Sequence, residues 1–306
     1  MSNEFKLQAA WDLYRAMWGQ PLPVAETVHG QQDKLTYVPS ERLRELGLKG
    51  LGFDEDVLLI RPEYIATFGS PDLGPSMQRR DSVVVIGHPG IGKTSFLYYV
   101  LLRRLSSKSP TAFQLLGGSI LFDTSGPREF SSTIPEQTLA LADSSTADNM
   151  EPCNAFQTAA KAQVVRIIQT ASPAKQNWKR WHKNLKATRY VMDYFSSEEI
   201  DTLGNILNLN CDELQRIYNT WGPSTRTCVN LTRYPSQEAD YAINVENAVE
   251  DFVRKFQHSY IDPFEESHKI VSVRPRGEER SCLTARVAYK TYRKNYPTLH
   301  HQDRGR

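Results

Sequence analysis

The stretch that most constrains this chain is DSVVVIGHPGIGKTSFLYYVLLRRL, from Asp81 to Leu105. An apolar run, VVVI, leads into a loop with glycines at 87, 90 and 92. The loop opens into TSFLYYVLLRRL, which at helical period is apolar on nearly every side. A short unbroken apolar run reads as a strand buried on both faces, as in a parallel sheet covered by helices. A helix apolar nearly all round belongs against such a sheet. Glycines let the loop turn tightly, so that several backbone N–H groups can face one anion.

Gly87-His88-Pro89-Gly90-Ile91-Gly92-Lys93-Thr94 fits G-x-x-x-x-G-K-[ST] at every required position. The helix is predicted to start near Lys93, which turns its unpaired N–H groups and positive dipole end toward the same anion. In a phosphate loop of this kind the lysine, Lys93, reaches the β- and γ-phosphates of a nucleotide, and the hydroxyl, Thr94, holds Mg²⁺.

A nucleotide hydrolase also needs a second-strand acid for the metal and a group that positions the attacking water. Asp123, in ILFDTSG, follows an apolar strand in a D-x-x-G pattern like that of GTPases. The N/T-K-x-D element that reads guanine is absent, since KNLKA lacks the acid. Asp123 is therefore read as a turn residue, and adenine is expected over guanine. Asp143, in TLALADSS, sits where an acid at the carboxyl end of a buried strand meets ligands of open α/β sheets. Many ATPases carry glutamate next as the base for water. Here the next residue is Ser144, and the nearby acids are Glu136 and Glu151. Nucleotide binding is thus better supported than rapid hydrolysis. Further on, VVRIIQTASP ends in polar residues. In three-layer ATPases with an extra central strand, such an end carries a γ-phosphate sensor. Thr170 or Ser172 would fill that role, or the strand simply ends in a Ser-Pro turn.

AKQNWKRWHKNLKATR, from Ala174 to Arg189, is rich in cations and has no acid. Cations neutralise phosphate and indoles stack on bases, so nucleic acid is one possible partner. The spacing favours another reading. Trp178, Trp181 and Leu185 fall at i, i+3 and i+7, which puts the indoles on a buried helix face and the charges in solvent.

The chain has 306 residues, enough for one large or two medium domains. Its net charge of +2 gives no general pull toward nucleic acid or membrane. No apolar run has the length of a membrane span, and the start lacks a signal-peptide core. Cys153, Cys211, Cys228 and Cys282 are widely spaced, which points to reduced residues in a cytoplasmic or nuclear protein and to no zinc site.

Around the central stretch, residues 1–80 offer an amphipathic helix at the start, strand-like KLTYV and VLLIRPEYI, and a linker, GSPDLGPSM. Strands are expected at Ser82–Ile86, Ser119–Phe122, Leu139–Ala142 and Val164–Thr170. From 196 the period becomes helical. Ser196 and Glu199 make a capping-box pattern, and Leu214, Ile217, Tyr218 and Trp221 mark one apolar face. KIVSVRP is a last strand before a polar tail, HHQDRGR.

These pieces together resemble the P-loop ATPase module of Crinkler and retrotransposon-hot-spot-type proteins, near the AAA and signal-transduction ATPases. The resemblance runs from about Val84 to Arg226. It rests on the order of GHPGIGKTSFLYYVLLRRL, LALADSS, IIQTASPAKQNWKRWHKN, YFSSEEIDTLGNILNL and WGPSTRTCVNL. It implies ATP on Gly87–Ser95, including Ser95, with Mg²⁺ near Asp143. It also implies a sensor at Ser172-Pro173 and a lid arginine at Arg226. Such modules commonly accompany a separate effector domain, often nuclease-like, and no acid-x-Lys cluster after about residue 260 fits one here. The expected fold is α/β, a three-layer P-loop NTPase with a mostly parallel sheet. Its parts are a small α+β N-terminal region (1–80), the core (81–195), a helical lid (196–260) and a C-terminal strand and tail (261–306). The expected activity is ATP hydrolysis or an ATP-gated switch. The alternatives are an interaction module with little hydrolysis, a nucleic-acid-acting ATPase and, last, a GTPase. Catalytic roles fall on Lys93, Asp143 and Arg226.

Overall fold

A computed structural model describes residues 3–26, 35–69, 82–115, 118–131, 133–144, 151–173, 178–258, 271–276 and 279–287. Most of the expected linker, the polar tail and the start of the basic stretch lie outside them. The chain divides into two compact units. The first takes Met1–Ile86, Gly92–Ser172 and Gln176–Met192, and the second takes Gly87–Ile91, Pro173–Lys175 and Asp193–Arg306.

The first unit is α/β. It opens with α1 (Asn3–Met17), whose Ala10, Leu13 and Met17 are buried. A small antiparallel sheet follows, in the order β1 (Ala25–Glu26), β2 (Thr36–Val38) and β3 (Leu58–Ile60), with α2 (Ser40–Glu45) between the last two strands. The strand expected from VLLIRPEYI is shorter than its apolar run. Pro62 cannot donate to a sheet and suits the first helical turn, so the chain leaves the strand and enters α3 (Pro62–Gly69).

The main sheet has seven strands: β4 (Val83–Ile86), β5 (Thr111–Leu115), β6 (Gly118–Asp123), β7 (Gly126–Glu129), β8 (Thr138–Asp143), β9 (Val165–Ala171) and β10 (Thr188–Val191). Their spatial order is β10-β4-β9-β8-β5-β6-β7. The first five in that order are parallel neighbours, and β6 and β7 add an antiparallel edge. One strand, β9, therefore lies between the strand that enters the glycine loop and the strand that ends at Asp143. All four residues of β4 are buried, as its unbroken apolar run requires.

The crossover through α4 (Lys93–Ser106) runs along the sheet in one direction. Those through α5 (Asn154–Lys161) and α6 (Lys179–Leu185) run in the other. Right-handed connections place helices of opposite travel on opposite faces, an arrangement compatible with three layers. In agreement, α5 packs on α6, whereas α4 packs on α1 and α3. The N-terminal residues are thus part of the cover of this sheet: Tyr98 of α4 donates its buried hydroxyl to the Leu51 carbonyl at 2.6 Å.

The second unit is helical, with α7 (Ser197–Ile206), α8 (Cys211–Trp221), α9 (Thr225–Arg233) and α10 (Glu238–His258). The Ser196 capping box is complete: the Ser196 N–H donates to Glu199 at 2.7 Å, and the Glu199 N–H donates to the Ser196 hydroxyl at 3.2 Å. The apolar face of α8 buries Leu214 and Ile217 fully. Tyr218 and Trp221 each spend a polar atom, on the Phe195 carbonyl and on Glu238. The expected last strand is β11 (Val271–Arg276), and it pairs with a partner the sequence did not suggest, β12 (Glu279–Val287).

Candidate functional site

The loop between β4 and α4 takes its shape from two glycines. Gly90 has φ +79 and Gly92 has φ +86, in the left-handed region that other side chains rarely adopt. Gly90 is also required by packing, because a Cβ there would come within 2.3 Å of the Ser224 hydroxyl. Gly92 is the N-cap of α4 and offers no side chain to it. Lys93, Thr94 and Ser95 are half-buried on the first turn of that helix. A helix start capped by glycine leaves its N–H groups to be met by a ligand.

Asp143 ends β8 at the carboxyl edge of the parallel strands, where the sequence placed it. Its Oδ2 accepts the Thr94 hydroxyl at 2.7 Å, and its Oδ1 accepts the Thr170 hydroxyl at 3.0 Å. Thr170 is fully buried and lies directly opposite Asp143 in the β8–β9 register. Thr170, one of the two residues weighed for the end of β9, is thus joined to the acid. Ser172 follows the strand and is half-buried. Sequence could not choose between them, because the choice depends on register.

Glu136 is exposed before β8 starts, at the opposite end of that strand from Asp143. Glu151 is held by its main chain, whose carbonyl accepts the Gln114 amide at 3.3 Å. Ser144 is tied to β9: its N–H and hydroxyl both donate to the Thr170 carbonyl, at 3.0 and 2.9 Å. Asp123 occupies the turn of the β6–β7 hairpin, where it accepts the Ser125 N–H at 2.8 Å and pairs with Arg128 at 2.5 Å.

In the second unit, the N-terminus of α9 meets the loop at Gly90. The Arg226 N–H donates to the Gly90 carbonyl at 3.4 Å, and Ser224 caps α9 by accepting the Thr227 N–H. The Arg226 side chain is exposed. His88 is buried with its ring edge-on to Tyr194, 6.0 Å between centroids, and Arg274 of β11 lies over the other ring at 5.6 Å.

Within the described part of the basic stretch, Lys179–Leu185 form α6. Trp181 is fully buried and its indole N–H donates to Gln169; Trp178 is buried as well. Neither indole is offered to a base. Lys179, Arg180, Lys183, Lys186 and Arg189 are exposed. Burial, and then the charge of Arg189, hold the His182 imidazole below its ordinary value of 6.5.

The geometry fits a nucleotide with Mg²⁺. A helix start without a side-chain cap would face the phosphates, and the Thr94 hydroxyl and the Asp143 carboxylate touch where the metal would sit. Mg²⁺ keeps waters and takes only one or two protein oxygens beside phosphate, so no larger acidic cluster is required. Among the described residues there is none. Cys153, Cys211 and Cys228 are unpaired thiols, and burial pushes Cys228 up to about 12. Among the described residues no helix is long and apolar enough to cross a membrane. No family model matches the chain, and no curated protein matches it.

Proposed function

We propose that this chain binds ATP with Mg²⁺ as a P-loop NTPase of the Crinkler and retrotransposon-hot-spot type. The observation that carries the reading is the Thr94–Asp143 hydrogen bond at 2.7 Å, beside a helix start capped only by Gly92. The placement of β9 between β4 and β8 adds support, since it brings Thr170 to the same carboxylate.

In this reading Gly87–Thr94 and Ser95 wrap the phosphates, and the Lys93 ammonium offsets their charge. Thr94 and Asp143 would hold Mg²⁺, which would supply charge neutralisation at the phosphates. Thr170 keeps Asp143 in place by donating to its other oxygen. Arg226, whose main-chain N–H donates to Gly90, takes the role of γ-phosphate sensor in this reading. The proposed site is cytoplasmic or nuclear.

A second reading, a nucleotide-gated switch with little hydrolysis, is favoured by Ser144. The position next to the acid holds a hydroxyl already bonded to Thr170, and hydroxyl is a poor base for water. Steady-state ATPase rates, with and without DNA or RNA, test both. Turnover above the phosphate-loop variant supports hydrolysis, stimulation by nucleic acid supports a nucleic-acid-acting ATPase, and ATP binding without turnover supports the switch.

A further inference from the structure

The last peptide of the glycine loop is gripped from outside the loop. Tyr64 of α3 is 1% exposed, and its hydroxyl donates to the Gly92 carbonyl at 2.7 Å. The same carbonyl accepts the Phe96 N–H at 2.9 Å, the first turn of α4. A carbonyl oxygen has two lone pairs and serves both donors.

The peptide that carries this carbonyl carries the Lys93 N–H on its opposite edge. A trans peptide is planar, so fixing the direction of the Gly92 C=O also fixes the direction of the Lys93 N–H. Glycine at 92 has no side chain to restrain that plane, and no side chain caps the helix there. The Tyr64 hydroxyl adds a second hold to that of the Phe96 N–H. It also polarises the peptide, which makes the N–H on the far side a better donor.

The tyrosine ring is itself held. It lies 5.7 Å from the Phe96 ring and 6.0 Å from the Tyr99 ring, both on α4. The Arg61 guanidinium lies 5.5 Å from its centroid. The hydroxyl is therefore set in position before any ligand arrives.

We propose that Tyr64 is a positioning residue of the phosphate loop: through Gly92 it aims the Lys93 amide at the phosphates of the nucleotide. The proposal rests on the nucleotide reading above. It gives residues before the loop a part in binding, through one hydrogen bond.

The test is calorimetric titration of ATP, ADP and inorganic pyrophosphate, with Mg²⁺, into the parent chain and Tyr64→Phe. Circular dichroism and thermal unfolding check the fold of each. All three affinities should fall by a common factor of about three- to tenfold, the scale of one hydrogen bond. Replacing Tyr64 with 4-aminophenylalanine keeps ring and donor and should stay within about twofold of the parent. That comparison carries the test if Tyr64→Phe does not fold. Unchanged affinities in folded Tyr64→Phe overturn the proposal. So does a loss confined to ATP and ADP, which would mean that Tyr64 acts on the base, and so does a full loss with 4-aminophenylalanine. If the parent binds none of the three, the nucleotide reading itself fails and this inference falls with it.

Discussion

The Thr94 hydroxyl donates to Asp143 Oδ2 at 2.7 Å across 49 residues of sequence, while Thr170 donates to the other oxygen of the same carboxylate. One acid is thus strapped between the helix that follows the glycine loop and the central strand. Asp143 brings a carboxylate charge to the two hydroxyls.

Asp143→Asn keeps the size of the side chain and removes that charge. ATP affinity in the parent should rise with Mg²⁺, and the Asn variant should lose at least about tenfold of that rise, or ~1.4 kcal/mol. Titration with and without Mg²⁺ measures it. An unchanged Mg²⁺ effect would remove Asp143 from the metal site.

Arg226 donates its main-chain N–H to Gly90 and leaves its guanidinium exposed. A guanidinium gives two parallel hydrogen bonds to phosphate, and only ATP offers the γ-phosphate. Arg226→Ala should weaken ATP by about 1.5–3 kcal/mol, roughly ten- to a hundredfold, with ADP almost unaffected. A constant ratio of ATP to ADP affinity would show that Arg226 does not sense the γ-phosphate.

Gln169 and Trp181 share a hydrogen bond in a region where both are fully buried. Gln169→Leu leaves the indole N–H without its acceptor, at a cost of about 1–3 kcal/mol. Denaturant unfolding should report that loss. A variant as stable as the parent would mean that the tryptophan is not locked into the core, and would reopen base stacking by α6.

Much of this was legible from local pattern. The strand VVVI, the loop and α4 carry an unbroken apolar run, a spaced motif and a helical period, each readable within a few residues. The place of Asp143 at a strand end was readable because it closes an apolar run. β5 was missed because TAFQL follows a Ser-Pro turn and contains Gln114. That polar residue is buried, and it is satisfied by the Cys153 N–H at 2.7 Å, far along the chain. Thr170 against Ser172 was undecidable without the register that sets Thr170 opposite Asp143. The Tyr64–Gly92 bond joins residues 28 apart with no motif between them, so periodicity could not reveal it.

The central claim is that the glycine loop and Lys93 hold the phosphates of ATP. Calorimetric titration of ATP with Mg²⁺ into the parent and into folded Lys93→Ala tests it most directly. The account predicts saturable binding to the parent and a loss of at least about a hundredfold, ~2.8 kcal/mol, in the variant, because a desolvated ammonium–phosphate contact disappears. Equal affinity in the two proteins, or no binding to the parent, would contradict it.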